Sequence, residues 1–382
     1  MIPMECVVRG YFYGSLIGRW KNGSIRLPGN TDTTMAAKLT QPLFDPTTKK
    51  PKMSLALSET TLSLLENIGV HLSAGQDLVE ILVNEKGLPG SMLLNAHECG
   101  YSRFGRAICS IELDRILTGQ VADMVEPMAV TQVRARSTTG NPRIELETGE
   151  TSEPDLVILA DGGRSGLSNS IGMDAQLRSF DRTALLGRIQ VETPVSGRAY
   201  ERFIGTGPLA LLPIDSDVYG FVWSLAPRDA DALKQATPAL LDALYLALPR
   251  ELGRLELVYD AVKIPLIERW IDQPYRPGIV LLGNGAQTIH PVAGQGLNLA
   301  LRGVSRLVDA LAMGDPDTAV REAFMSWKPN RDLTRLASSS LEALFDRDLL
   351  SRKLLTSIGM ALGDQSPWLK RKISEAGMGI IS

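Results

Sequence analysis

The apolar positions along the chain change period several times, and each change predicts an element. Met4 to Val8 is a short apolar run that predicts a buried strand. Residues 22–52 are rich in Gly, Pro, Thr, Asn and Lys and predict a long irregular stretch, with one short strand around Met35 to Leu39. In 54–70 (SLALSETTLSLLENIGV), Leu57, Leu64, Leu65 and Ile68 fall near helical spacing, and Gly69 supplies a stop. Residues 105–125 predict a strand running into a second helix. Alternation through 130–148 predicts a hairpin about Thr139-Gly140-Asn141-Pro142. Leu156 to Ala160 is continuously apolar, as a strand buried on both faces of a parallel sheet must be, and it ends in Asp161-Gly162.

From about 180 to 270 the pattern is β-rich and broken by Gly and Pro, with one helical piece at 231–247. A buried strand returns at Gly278 to Leu282 and leads into the loop GAQTIHPVAGQG. A helix comes next, with Leu297, Leu301, Val304, Val308 and Leu311 expected on one inward face. The remainder is expected to be helical. The fold class implied is α/β: a Rossmann-like layer interrupted by a mostly antiparallel β-sheet domain and followed by a helical C-terminus. The expected divisions are 1–175 and 276–316 for the Rossmann-like part, 176–275 for the β-rich insert and 317–382 for the C-terminal helices.

Composition narrows the function classes. Of 382 residues, 44% are hydrophobic and 22% charged, and the formal net charge is −3, which gives no basic footprint for nucleic acid. Cys6, Cys99 and Cys109 form no CxxC pair and are expected to be idle thiols in a reducing compartment. His71, His97 and His290 are too scattered for a histidine metal site, so no metal is expected. No signal-peptide pattern is seen, and no apolar run approaches the ~18 residues that span a bilayer. A cytoplasmic protein is expected, with peripheral membrane contact left open by the C-terminal mixture of Leu, Ile, Met and Trp with Arg352, Lys353, Lys370, Arg371 and Lys372.

Candidate chemistry concentrates at strand ends. In doubly wound sheets, ligands bind beyond the C-terminal ends of the strands, where Asp161, Gly162, Gly283 and Asn284 fall. Gly294 and Gly296 would let a ligand approach the backbone. The helix start after them offers free N–H groups and a positive dipole end. A plain strand–loop–helix with glycines for its turns would show the same pattern.

The stretch GNGAQTIHPVAGQGLNLALRGV (283–304) resembles the signature of the flavin-dependent hydroxylases of ubiquinone biosynthesis, within the aromatic-ring monooxygenases of the para-hydroxybenzoate hydroxylase type. SLALSETTLSLLENIGV, LVILADGGRSGLSNSIGM, RAYERFIGTGPLALLPI and FVWSLA resemble further segments of that family in the same order. The resemblance implies an FAD lying across the Rossmann-like sheet, reduced by NAD(P)H as a transient reductant, and hydroxylation of an electron-rich ring by O2. The substrate implied is aromatic, with or without a polyprenyl tail, and other quinone-biosynthesis proteins are candidate partners. Gly283 and Asn284 would contact the ribityl–pyrophosphate region. Pro291, Gly294, Gly296, Leu297 and Asn298 would line the flavin ring, and Asp161 and Gly162 would lie by the pyrophosphate. No catalytic side chain is required, and His290 is read as structural rather than as a base.

One region departs from that family. Its GxGxxG turn falls on VVRGYFYGSL, where Arg9 and Tyr11 take the first two glycine positions and only Gly14 keeps the third. Gln41 stands at the position of the ribose-binding acid, and Met53 at that of a later Arg. All the departures fall on the adenosine-diphosphate half of the cofactor site, which reads as a degenerate phosphate loop. Three readings stay open: an FAD-dependent ring hydroxylase with a weakened adenosine site, a non-catalytic accessory or lipid-binding subunit in quinone biosynthesis, or an enzyme using a smaller flavin or another ligand.

Overall fold

The computed structural model describes residues 4–7, 53–121, 129–137, 140–163, 165–290, 294–312, 314–346 and 359–380. Three parallel strands, Met4–Val7, Leu156–Leu159 and Ile279–Leu281, lie side by side, with the short antiparallel strand Tyr275–Arg276 at the edge. Val7 stands opposite Leu159, and Leu159 opposite Leu281, so the three strands finish at one level. The apolar run at Leu156–Leu159 is buried throughout, as expected. Residues 22–52, including the strand expected near Met35, lie outside the described residues.

The second layer is an eight-stranded sheet. Its order is Gln287–Thr288, Leu255–Trp270, Gln176–Val191, Val218–Leu225, Gly207–Pro213, Arg198–Ile204, Glu80–Glu85 and Ser91–Asn95. All neighbours run antiparallel except Arg198–Ile204 with Glu80–Glu85. Strands from both sides of 176–275 therefore complete this sheet. Side-chain alternation gives it two faces. Leu185, Ile189, Tyr219, Phe221 and Trp223 pack with Ala230, Leu240 and Leu244 of two covering helices. Ala184, Leu186, Val222, Ile264 and Leu266 form the other, also apolar, face with Met53 and Phe180.

Several expected elements are corrected. The stretch 54–70 is not one helix. Ser54–Ser58 is a strand paired with Gly105–Cys109, and the helix is Glu59–Asn67. Ser58 is the switch: its backbone is extended and its hydroxyl accepts the N–H of Thr61, capping the helix. The helical piece expected at 231–247 is two helices, Pro227–Gln235 and Thr237–Ala247. Ala236 between them is extended, and Pro238 brings no N–H to continue the first helix.

The helix Gln295–Leu311 also presents a different face from the one expected. Asn298, Leu299, Gly303 and Leu307 are buried, whereas Val304 and Val308 are 37% and 54% exposed. Gly303 sets that rotation. A Cβ there would stand 2.9 Å from the Trp327 ring, so the neighbouring helix Pro316–Asp346 packs directly on the glycine backbone.

A buried arginine joins that long helix to the end of the large sheet and the loops beside it. Arg331 is fully buried and donates to the carbonyls of Ile271 (2.5 Å), Ala286 (3.2 Å) and Asp272 (3.3 Å) and to Gln287 Oε1 (3.1 Å). Its guanidinium stacks 3.8 Å from the Trp270 ring centroid. Burial pushes its pKa down to about 10, which leaves it charged at neutral pH.

Candidate flavin site

Two loops meet where the parallel strands end. Beyond Leu159 comes Asp161-Gly162-Gly163, and beyond Leu281 comes the 3-10 turn Gly283–Gly285. The Leu282 N–H donates to Leu159 O at 3.0 Å, which holds the loops together. Asp161 organises its own turn by accepting from the Gly163 N–H (2.9 Å), the Ser165 N–H (3.1 Å) and the Ser165 hydroxyl. Burial pushes this carboxyl up, but those donors outweigh burial and hold it below the usual carboxylate range.

Arg269, at the end of the long strand Leu255–Trp270, lies under these loops. Its Nε and Nη2 stand 3.4 Å from Gly285 O and Ser168 Oγ. Gly163 has a positive φ (70°), which favours glycine, and a Cβ there would lie 2.6 Å from Arg269 Nε, so the guanidinium would have to shift. Sequence reasoning passed over Arg269 because a lone arginine in a β-rich stretch reads as a solvated charge.

The helix Gln295–Leu311 starts at the same end. Gly294 is its N-cap, in the left-handed conformation (φ 61°), and offers no side-chain cap. The first-turn N–H groups are thus not covered by a capping side chain, and the helix dipole favours negative charge there. Among the described residues, a Cβ at Gly162, Gly283 or Gly296 would meet nothing within 4 Å. Asn284 is exposed between them.

The side chains of Asn298 and Leu297 are both engaged by protein. Asn298 Oδ1 accepts from the Ser58 N–H (3.0 Å) and the Thr61 hydroxyl (2.9 Å), while its Nδ2 donates to Ala56 O (2.9 Å) and Gly294 O (3.3 Å). All four of its hydrogen-bonding positions are filled by protein, so none is left for a ligand. Leu297 packs into the cluster of Leu57, Leu62, Leu65 and Ile108. Both residues hold the loop in place. Gly14 and Pro291 lie outside the described residues.

His290, on the loop before that helix, is buried and meets Phe180 of the large sheet edge-on, with centroids 4.8 Å apart. Burial, with the nearby Arg182 cation, pushes its pKa down to about 4, so the imidazole is neutral at physiological pH. The contact joins the loop to the apolar face formed by Phe180, Ala184, Leu186, Val222, Ile264, Leu266 and Met53. Cys109 has a partner that its spacing did not reveal: Arg188 Nη2 lies 2.7 Å from its Sγ. Burial raises this thiol, but Arg188 and the N–H groups of Ile111 and Glu112 outweigh it and lower the pKa.

Parallel strands with glycine turns at their ends, followed along the chain by a large, mostly antiparallel sheet, give the mixed α/β fold of a flavoprotein class. The FAD binding domain family matches residues 45–335, about three quarters of the chain, and the chain belongs to that family. It is 28% identical over 248 residues to 3-demethoxyubiquinol 3-hydroxylase of Escherichia coli K12, covering 62% of this chain and 62% of that protein. Thus the chain spans less than two thirds of that relative's length. A solved structure of Klebsiella pneumoniae HpxO complexed with FAD and uric acid superposes with TM-score 0.68 at 16% identity, covering 87% of this chain and 89% of that one, which shows a shared fold.

The beginning of the chain has a second similarity. Residues 1–67 match the SAICAR synthetase family. A 49-residue stretch is 65% identical to phosphoribosylaminoimidazole-succinocarboxamide synthase of Nitrosopumilus maritimus, covering 13% of this chain and 18% of that protein. Arg9, Tyr11, Gln41 and Met53, read above as departures from a phosphate-loop pattern, all fall within 1–67. Arg9, Tyr11 and Gln41 precede residue 45, where the FAD binding domain match begins, and Met53 lies within both matches.

The described residues fit a flavin. The strand-end turns at Asp161–Gly163 and Gly283–Gly285 would suit the ribityl–phosphate chain, and the uncapped helix start at Gly294 would suit the negative charge of a reduced flavin.

Proposed function

We propose that the chain is an FAD-dependent aromatic-ring hydroxylase, a monooxygenase acting on a ubiquinone-precursor-like ring with NAD(P)H as reductant. The observation that carries this reading is the meeting of the glycine turn Gly283–Gly285 at a strand end with the uncapped helix start at Gly294, joined through His290 and Phe180 to an apolar sheet face. Membership of the FAD binding domain family and similarity to a ubiquinol hydroxylase support it.

When bound, FAD reduced by NAD(P)H supplies the activation of O2. In the balanced reaction one oxygen atom enters the ring in place of hydrogen on carbon, the other leaves as water, and NAD(P)H is oxidised to NAD(P)+ with uptake of one proton. The protein's part is placement. The uncapped helix start faces negative charge, and the Asp161 and Gly283 turns shape the strand ends. Ala184, Leu186, Val222, Ile264 and Leu266 give an aromatic ring a dry surface. His290 is neutral and packed, and acts by joining loop to sheet.

Peripheral membrane contact belongs to the same proposal, because a polyprenylated ring resides in lipid. Among the described residues no helix is long and apolar enough to cross a membrane. The helix Pro367–Met378 and the turn before it expose Trp368 (69%) and Leu362 (63%). The basic face expected here is largely satisfied internally: Lys370 is buried against Asp364, and both Arg371 and Lys372 pair with Glu375. Arg352 and Lys353 lie outside the described residues. Contact would therefore rest on Trp368 and Leu362 more than on charge, and Trp368→Ser with Leu362→Ser should reduce liposome flotation. Equal flotation contradicts that part.

The test of the activity is direct. The purified chain is given FAD, NAD(P)H and a short-chain polyprenylated phenol under isotopically labelled O2. The expected product carries one labelled oxygen and forms in step with NAD(P)H consumption. Absence of labelled product at saturating FAD contradicts the proposal.

A further inference from the structure

We infer that Glu201, on the apolar face of the large sheet, receives a ring hydroxyl of the substrate, so that the site selects phenols over their ethers. The inference rests on the proposed ring hydroxylation, and it names a polar contact that sets the ring on that face.

Strand register fixes the side of the sheet on which Glu201 stands, because directly paired residues project to the same side. Glu201 pairs with Val83 on one neighbour and with Ala210 on the other. Ala210 pairs with Val222, and Val222 with Leu186. One row therefore crosses five strands: Val83, Glu201, Ala210, Val222, Leu186. Val222 and Leu186 belong to the apolar face that Phe180 joins to His290, so Glu201 shares that face. Along its own strand the preceding residue on the same side is Ala199, which packs with Ala56, Ala107 and Leu212. Ala56 Cβ lies 3.6 Å from where a Cβ on Gly294 would stand. Followed across the row or along the strand, the surface around Glu201 leads to the loop of the candidate flavin site.

Glu201 is the polar member of an otherwise apolar row, and it is partly buried. Burial pushes its carboxyl up to about 7, with no cation or hydrogen-bond donor acting against burial. Other acids of the same sheet are held differently: Glu80 meets Arg198 at 2.7 Å, and Glu268 meets Arg335 at 2.6 Å. A carboxylate on an apolar surface without such a partner costs the fold stability, and a ligand that donates a hydrogen bond relieves that cost. A phenol supplies this donor. Its ordinary pKa, about 10, lies above that of Glu201, so the proton stays on the ring oxygen and the contact is a charge-assisted hydrogen bond. Such a bond places the ring and makes it richer in electrons. A methyl ether has no hydrogen to donate.

The experiment is calorimetric titration of the flavin-loaded chain at about pH 8 with ortho-prenylphenol and with its methyl ether. Wild type, Glu201→Gln and Glu201→Leu are compared, and the unfolding midpoint of each is measured alongside. Wild type should bind the phenol at least about tenfold more tightly than the ether. That preference should shrink in Glu201→Gln, which keeps an acceptor without the charge. In Glu201→Leu it should vanish, with the phenol bound about tenfold more weakly and the ether at least as tightly as before. A merely structural role would weaken both rings together. Equal affinities of wild type for the two rings, or a preference that survives in both variants, overturns the inference and leaves the proposed function standing. The wild-type comparison holds even where a variant does not fold. Failure of the flavin-loaded chain to bind either ring overturns both.

Discussion

Asn298 and Ser58, 240 residues apart in sequence, are joined by a 3.0 Å hydrogen bond from the Ser58 N–H to the Asn298 side chain. One residue lies in the first turn of the helix that begins at the candidate flavin loop. The other caps the helix Glu59–Asn67. The same asparagine also holds Thr61, Ala56 and Gly294. Through these bonds the glycine turn at 294 is tied to the strand Ser54–Ser58, and the geometry of the loop depends on a side chain that itself has no hydrogen-bonding position left for a ligand.

Replacing Asn298 by Ala therefore leaves buried donors and acceptors unmatched at four places. We expect a loss of about 2–4 kcal/mol in denaturant unfolding, together with weaker flavin binding. Asn298→Asp keeps the acceptor geometry toward Ser58 and Thr61 but loses both donated bonds and buries a charge, so it should be no better than Ala. An Asn298→Ala protein with wild-type stability contradicts this role.

Gly303 should be equally unforgiving. A methyl group added there meets the buried Trp327 ring at 2.9 Å. Although Ala is the better helix former, Gly303→Ala should cost about 1–3 kcal/mol through overpacking. A stabilised Gly303→Ala protein would show that the two helices can separate without penalty.

Arg331 tests how the C-terminal helix is fastened. Lysine keeps the charge but cannot span the carbonyls of Ile271, Ala286 and Asp272 or stack as a plane on Trp270. Arg331→Lys should lower stability by about 2–4 kcal/mol, seen as a large drop in the thermal midpoint. A change below about 0.5 kcal/mol would mean that charge alone suffices.

His290 predicts a pH dependence with a definite sign. Its folded pKa of about 4 lies below the ordinary value of 6.5, so the unfolded chain binds this proton first as pH falls. Its contribution is intact above pH 6.5 and is lost progressively down to about pH 4, by about 3 kcal/mol in total. Glu201, which burial pushes up from 4.5 to about 7, acts oppositely over much of the same range. The informative quantity is therefore the difference between wild type and His290→Gln. The variant should gain relative stability as pH falls from 6.5 to 4, and a difference that does not change with pH contradicts the assignment.

The sequence made the strand Leu156–Leu159 and the glycine turns readable because an uninterrupted apolar run and a glycine pair are local signals. It hid the features that depend on partners. Gly303 carries no hydrophobic signal, yet it decides which face of its helix is buried, so Val304 and Val308 were expected inside and stand outside. Arg331 reads as a surface charge until Trp270 and three carbonyls surround it. Asn298 looked like a ligand contact because it comes after a glycine loop, and its saturation is visible only when Ser54–Ser58 folds against it. The stretch read as a phosphate loop was ambiguous for another reason: a strand followed by scattered glycines is compatible with more than one family, and residues 1–67 are also similar to SAICAR synthetase.

The central claim is that a flavin lies beside Gly283 and Gly296, and Gly296→Val tests it most directly. Among the described residues, a Cβ at 296 would meet no protein atom within 4 Å, so the described fold should be undisturbed. Flavin affinity and the unfolding midpoint are measured together on wild type and variant. The account predicts a midpoint close to wild type and flavin affinity reduced by at least about tenfold. Unchanged flavin affinity in a fully folded Gly296→Val protein would contradict it.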